Sequence, residues 1–259
     1  MSNEQTSKAH SNQNAVRVEP ITAAEDFDRF FEITALAFGH QVKDGVWCAM
    51  NPGWDTPEGQ KSGSSRLAAR WSSTTTDRYS RPNAIFLKAV VPSQGATEGD
   101  EEIAGVAVWV QASQLEGHGD APATDIGSTM DLEALFPGNP AEQRYLRQVD
   151  LSLRRRRIEF VREIATTSSP AVMVLDLCAV DPAFQRRGVA TKLVEWGLQE
   201  ARQRGGIEAI LEASSMGRHV YRKLGFEQDG GEFRYDVDDE FRDRERPSNV
   251  FMRTGRPAM

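Results

Sequence analysis

Apolar residues recur along this chain in two rhythms, and the rhythm switches where turn residues cluster. Phe27, Phe30, Phe31, Thr34 and Phe38 follow helical spacing, and Thr22 with Glu25 just ahead of them has the form of a capping box. The spacing predicts a first helix there, after a short strand at Val16 to Glu19. Residues 39–62 hold Pro52, Pro57 and several glycines and read as irregular; residues 64–78 read as a second helix. Ala84 to Val91 and Glu102 to Val110 are β-type runs joined by a polar turn, which predicts an antiparallel pair. Residues 111–139 are rich in Gly, Pro and Asp and read as loop. Residues 140–165 are charged, with Tyr145, Val149, Leu153, Ile158 and Val161 in a helical pattern. A strand at 171–180, a helix at 189–203, a strand at 207–213 and a helix at 215–224 follow, then late strands near 232–237 and 249–253.

This order predicts an α/β fold with a mixed, mostly antiparallel central sheet and flanking helices. The strand–helix–strand crossover makes 171–180 and 207–213 a parallel pair. With 259 residues, 39% of them hydrophobic, the chain can build a real core. Residues 15–259 read as one domain with insertions at about 40–80 and 111–165, and 1–14, rich in Ser, Asn and Gln, as a disordered tail.

Composition narrows the class. A net charge of −7 argues against binding nucleic acid or an anionic membrane. No apolar run approaches the ~18 residues of a membrane span, and the polar N-terminus lacks a signal-peptide core. Cys48 and Cys178 form neither a disulfide framework nor a metal cluster, and Cys178, inside an apolar strand, reads as a small buried hydrophobe. No metal site is expected. The plain expectation is a cytoplasmic protein.

The chemistry concentrates after the apolar run Ala171 to Ala179. Val180-Asp-Pro-Ala-Phe-Gln-Arg-Arg-Gly-Val-Ala190 joins a strand to a helix N-terminus. The first N–H groups of a helix have no intrahelical partner, and the dipole there favours negative charge. Gly188 lets backbone approach a ligand, and Arg186 and Arg187 add positive charge. A diphosphate is the natural guest. The nucleotide-binding patterns G-x-x-x-x-G-K-[ST] and G-x-G-x-x-G are both missing. What stands here is Gln-x-x-Gly-x-Ala directly after a strand. A second block, Glu212 to Phe226, carries Tyr221 on a short helix and then Leu224-Gly225-Phe226.

The two blocks, in this order and at this spacing, resemble the GNAT superfamily of acetyl-coenzyme A-dependent N-acetyltransferases over about residues 171–226. The resemblance implies that the two parallel strands splay at their C-terminal ends and that pantetheine lies in the opening. It implies that the backbone N–H groups of Arg186, Arg187, Gly188, Val189 and Ala190 hold the diphosphate, with Ala179, Val180, Gln185, Thr191 and Ser214 also binding the cofactor. It also implies that Tyr221 stabilises or protonates the departing thiolate. The alternative for Tyr221 is a half-buried core tyrosine.

Asp176 is the odd residue of its apolar strand. Burial would raise its pKa toward neutrality and suit it to be the general base toward an amine acceptor. It could instead partner a core arginine, and the base could be Glu212 or a water chain. Trp47, Trp54 and Trp71 read either as acceptor-pocket walls or as satellite core. Arg154 to Arg157 cannot share one helix face and read as solvated. Asp236 to Asp243 reads as a solvated acidic hairpin region. Three functions are compatible with these residues: acetyl transfer to a small-molecule amine, the same chemistry on a protein lysine or N-terminus, and acyl-coenzyme A binding without catalysis.

Overall fold

In the computed structural model, which describes residues 16–93 and 100–255, strands β1 to β7 form one sheet with helices on both faces. The tail 1–14 lies outside the described residues. The strands are β1 (Arg17–Pro20), β2 (Ala84–Pro92), β3 (Glu101–Ser113), β4 (Ala171–Val180), β5 (Glu208–Ser214), β6 (Glu227–Glu232) and β7 (Asn249–Arg253). Their order across the sheet is β1-β2-β3-β4-β5-β7-β6. Every pair is antiparallel except β4 with β5. The predicted mixed sheet with one parallel pair is the observed one.

Each face of β4 packs on a different layer, because side chains alternate along a strand. Met173 and Leu175 join Trp109, Leu193 of helix α6 (Val189–Gln203), Leu211 and Phe226 in one cluster. Val172 and Val174 face the other way, onto Phe160, Val161 and Ile164 of helix α5 (Pro140–Ile164). A strand buried on both faces reads as a continuous apolar run, which is why its limits are visible in the sequence. Helix α1 (Asp26–Thr34) sends Phe27, Phe30 and Ile33 onto Phe86, Val106 and Val108.

Several expectations need correction. Thr22 and Glu25 form no capping box: Glu25 is itself in a helical conformation and no side chain caps the helix. The preceding turn already takes the first donors, with Asp26 N and Phe27 N bonded to the carbonyls of Ala23 and Ala24. The helix changes pitch after Thr34 and runs on as a π-helix over Ala35–Val42, ending at left-handed Lys43. Residues 39–62 are not irregular. Asp44 caps α2 (Gly45–Met50) by accepting from Val46 N and Trp47 N at 3.0 and 2.9 Å. Thr56 caps α3 (Pro57–Ser72), with Pro57 at its start, where a missing N–H costs nothing. The loop 111–139 includes the end of β3 and the short helix α4 (Leu132–Leu135). The sixth strand lies at 227–232 rather than 232–237. The acidic stretch 236–243 is not a hairpin: Asp238 pairs with Arg144 and Phe241 is buried against Tyr145.

Candidate active site

The parallel pairing of β4 with β5 stops abruptly. The ladder runs from Val172↔Glu208 to Leu175↔Leu211 and no further. The reason lies on the other edge of β4. There Leu175 pairs with Trp109 and Leu177 with Val108, so Asp176 is the extra residue of a β-bulge. A bulge bends its strand and sharpens the twist. Beyond it, β4 stays with β3 up to Val180↔Gly105, while β5 stays with β7 through Glu212↔Phe251 and Ser214↔Asn249. The two strands therefore diverge, and an opening forms between Asp176–Val180 and Glu212–Ser214.

The strand-to-helix loop sits at the end of this opening. Asp181 is buried, accepts from Ala183 N at 2.8 Å and pairs with Arg29 of α1, which fixes where β4 ends. The Gln185 amide donates to the Val180 carbonyl at 3.3 Å and exchanges two hydrogen bonds with the Gln41 amide at 3.1 and 2.8 Å. Arg186 and Gly188 both have left-handed backbone, with φ of 67° and 82°. Left-handed residues on either side of Arg187 turn successive N–H groups into a concave, anion-binding nest. Among the described residues no acceptor takes the N–H groups of Arg186 to Thr191. Arg186 and Arg187 are exposed and in no ion pair among the described residues. A Cβ on Gly188 would meet nothing within 4 Å, so the space above the loop is open. These residues fit a diphosphate.

Tyr221 rises from helix α7 (Arg218–Lys223), on the face of the sheet that carries α6. Its ring makes an edge contact with Phe226, centroids 6.0 Å apart, and lies near Cys178 on the same cluster. Burial raises its pKa and the neighbouring Cys178 adds to the rise, so the phenol keeps its proton and remains a hydrogen-bond donor. Burial likewise pushes the Cys178 thiol up to about 12. Gly217 makes room for the ring, since a Cβ there would lie 2.5 Å from Tyr221 Cε2. The Ser214 carbonyl accepts from Gly217 N at 3.1 Å and starts the turn into α7. Gly217→Ala is expected to keep the fold but push the phenol aside. Turnover should fall at least about 10-fold, with coenzyme A affinity, measured calorimetrically, little changed.

Asp176 and Glu212 point to the opposite face, toward α5. Arg157 of α5 meets both: its Nη1 donates to Asp176 Oδ1 at 2.6 Å and its Nε to Glu212 Oε1 at 2.9 Å, with Nη2 on Glu212 Oε2. Arg70 of α3 adds a contact to Asp176 Oδ2 at 2.8 Å. The expected rise of the Asp176 pKa is therefore reversed. Burial does push it upward, but Arg70, Arg157 and Arg154 outweigh burial and hold the carboxyl well below the usual carboxylate range. It is a core-arginine partner.

The other arginines of that run are also occupied. Arg154 pairs with Asp150, Arg155 with Asp236, and Arg156 with Glu163 and Asp229. Four consecutive residues point four ways, as helical geometry requires, yet Arg157 is buried rather than solvated. Two acidic residues in neighbouring apolar strands were the signal that a buried cation had to exist. The tryptophans pack among themselves and on α1: Trp71 on Phe27, Trp47 on Phe31, and Trp54 on Trp47. They are satellite core.

Comparison with known proteins agrees with this geometry. Residues 152–226 match the model of the acetyltransferase (GNAT) family. No curated protein matches the chain. Among solved structures, arylalkylamine N-acetyltransferase 2 from Aedes aegypti is 20% identical with a TM-score of 0.56, covering 93% of this chain and 98% of that one. The polyamine N-acetyltransferase of Drosophila melanogaster is 13% identical with a TM-score of 0.56, covering 92% and 98%. A structure of histone acetyltransferase HPA2 and related acetyltransferase from Corynebacterium glutamicum is 22% identical with a TM-score of 0.50, covering 95% and 98%. Residues 152–226 therefore resemble a GNAT acetyltransferase domain, and the chain shares its fold with these solved structures.

Proposed function

We propose that this protein transfers an acetyl group from acetyl-coenzyme A directly to an amine, and that the acceptor is a small molecule. The observation that carries the reading is the run of N–H groups from Arg186 to Thr191, unpaired among the described residues, beside the divergence of β4 and β5. The fold shared with arylalkylamine and polyamine N-acetyltransferases supports a small amine as acceptor. So does the packing of α2, α5 and residues 235–241 around a second small core, because an elaborated acceptor side suits an enclosed pocket.

The bound cofactor supplies an acyl carbon activated as a thioester. Arg186 to Thr191 would hold its diphosphate, with Gln185 shaping the loop. Ala179 and Val180 on β4 and Ser214 on β5 would line the pantetheine. Tyr221 would donate its O–H to the sulfur as negative charge develops there. Full proton transfer from a phenol to a thiolate is uphill by about 2 kcal/mol at unperturbed pKa values, and burial of Tyr221 adds to that cost. A hydrogen bond to the developing charge needs no transfer. Asp176 is ionised and held by two guanidinium groups, which leaves it unsuited to be the base, and the amine proton leaves through water.

This division of labour has a pH consequence. A carboxyl held below its unfolded pKa of about 4 stabilises the fold above that value, and the contribution fades as pH falls toward the folded pKa. Asp176→Asn is therefore expected to melt earlier at neutral pH and to leave the acid limb of the rate profile where it was. An acid limb that moves in the variant would identify Asp176 as the base. The functional proposal as a whole is tested by free-thiol release from acetyl-coenzyme A over a panel of small amines and lysine peptides. Release should require a small amine. Faster release with peptides would favour the protein-acetylating alternative.

A further inference from the structure

Where the backbone ladder between β4 and β5 ends, a side chain takes over. Leu175↔Leu211 is the last parallel pair, and Asp176 and Glu212 are the next residue on each strand. The Arg157 guanidinium is the one group bonded to both carboxylates among the described residues. All three side chains are less than a tenth exposed. A planar guanidinium fork can bridge the two strands because it binds Glu212 along two N–H directions and still presents a third to Asp176. Arg70 takes the remaining oxygen of Asp176, so two carboxylates meet two guanidinium groups.

We infer that Arg157 is a positioning residue that sets the width of the opening between β4 and β5. It acts as a side-chain rung in place of the backbone rung that the Asp176 bulge removes. The inference deepens the functional proposal and rests on it only for the turnover readout. Tyr221 and Cys178 border the opening on the α6 face and Arg157 on the α5 face, so the rung is opposite the group proposed to meet the sulfur. Without the rung, no backbone pairing between the two strands fixes the spacing of Leu177–Val180 against Ala213–Ser214. The diphosphate loop hangs from β4 and α6 and does not depend on that spacing. Loss of the rung should therefore misplace the acyl end far more than it weakens cofactor binding.

Arg157→Lys keeps the charge but cannot span both carboxylates in this geometry. We expect turnover to fall at least about 10-fold, since small misplacements are costly in rate, while coenzyme A affinity stays within about threefold. Amide hydrogen exchange should speed up at 177–180 and 213–214 but not across the rest of β4 and β5. Normal turnover per folded molecule and unchanged local exchange, with only a lower melting temperature, would make Arg157 a mere stability contact and overturn the inference.

Removing one partner of a buried ion network can prevent folding, whereas apolar replacement of the whole set is often neutral. The combined variant Arg157→Met, Asp176→Leu, Glu212→Leu removes the three buried members and leaves only the half-exposed Arg70, which water can solvate, and is therefore the second arm. It should fold and bind coenzyme A but turn over at least about 10-fold more slowly. Full activity in it would also overturn the inference. If the unaltered protein turns over no amine, the functional proposal fails, and hydrogen exchange at 177–180 and 213–214 still decides whether the rung exists.

Discussion

Replacing Tyr221 with Phe is expected to lower kcat by about 10- to 1000-fold and leave the affinity for acetyl-coenzyme A nearly unchanged. The substitution keeps the ring, its edge contact with Phe226 and its fit above Gly217, and deletes one O–H. That O–H matters only once charge develops on sulfur, so ground-state binding does not register its loss. Steady-state turnover together with a cofactor dissociation constant separates the two effects. An unchanged kcat with a lower melting temperature would make Tyr221 a packing residue. Equal losses in binding and turnover would place it in cofactor recognition instead.

Gly188→Glu should abolish coenzyme A binding, at least about 100-fold in Kd, while the protein remains folded. Two effects act together. The new carboxylate stands in the open space above the loop, where the diphosphate charge is proposed to sit. The backbone must also hold φ near 82° with a side chain attached, which costs about 1 to 2 kcal/mol. A cost of that size lowers the melting temperature without unfolding a well-packed domain. Calorimetric titration beside circular dichroism measures both. Affinity like that of the unaltered protein in a folded variant would remove the loop from the cofactor site.

How far the sequence can be read depends on whether a residue's fate is decided nearby. Strand β4 and helix α6 are readable to their end residues, because a doubly buried apolar run and a glycine-led helix start are local signals. Pro57 misleads for a local reason: a proline at the first helical position marks a start, but among glycines and a second proline it reads as loop. Strand β6, Glu-Gln-Asp-Gly-Gly-Glu, has no strand pattern of its own. It forms because β7 offers an edge, a case of tertiary context overriding propensity.

The site divides in the same way. The loop Gln185–Thr191 and Tyr221 lie in two short motifs and can be named from them. For Asp176, burial is legible but its consequence is not, because the cations that reverse its pKa come from Arg70 and Arg157 on separate helices. The Gln41 amide that grips Gln185 is equally out of view, since it comes from a π-helical turn that no sequence period announces.

The central claim is direct acetyl transfer to a small amine. It is tested most directly by incubating the protein with acetyl-coenzyme A carrying an isotope label in the acetyl group, together with a panel of arylalkylamines and polyamines, and reading products by mass spectrometry. The expected result is the labelled acetyl group on an amine nitrogen, formed in proportion to free coenzyme A, lost in Gly188→Glu and strongly reduced in Tyr221→Phe. Tight binding of acetyl-coenzyme A with no labelled amide on any amine would contradict it and leave a non-catalytic binding protein as the reading.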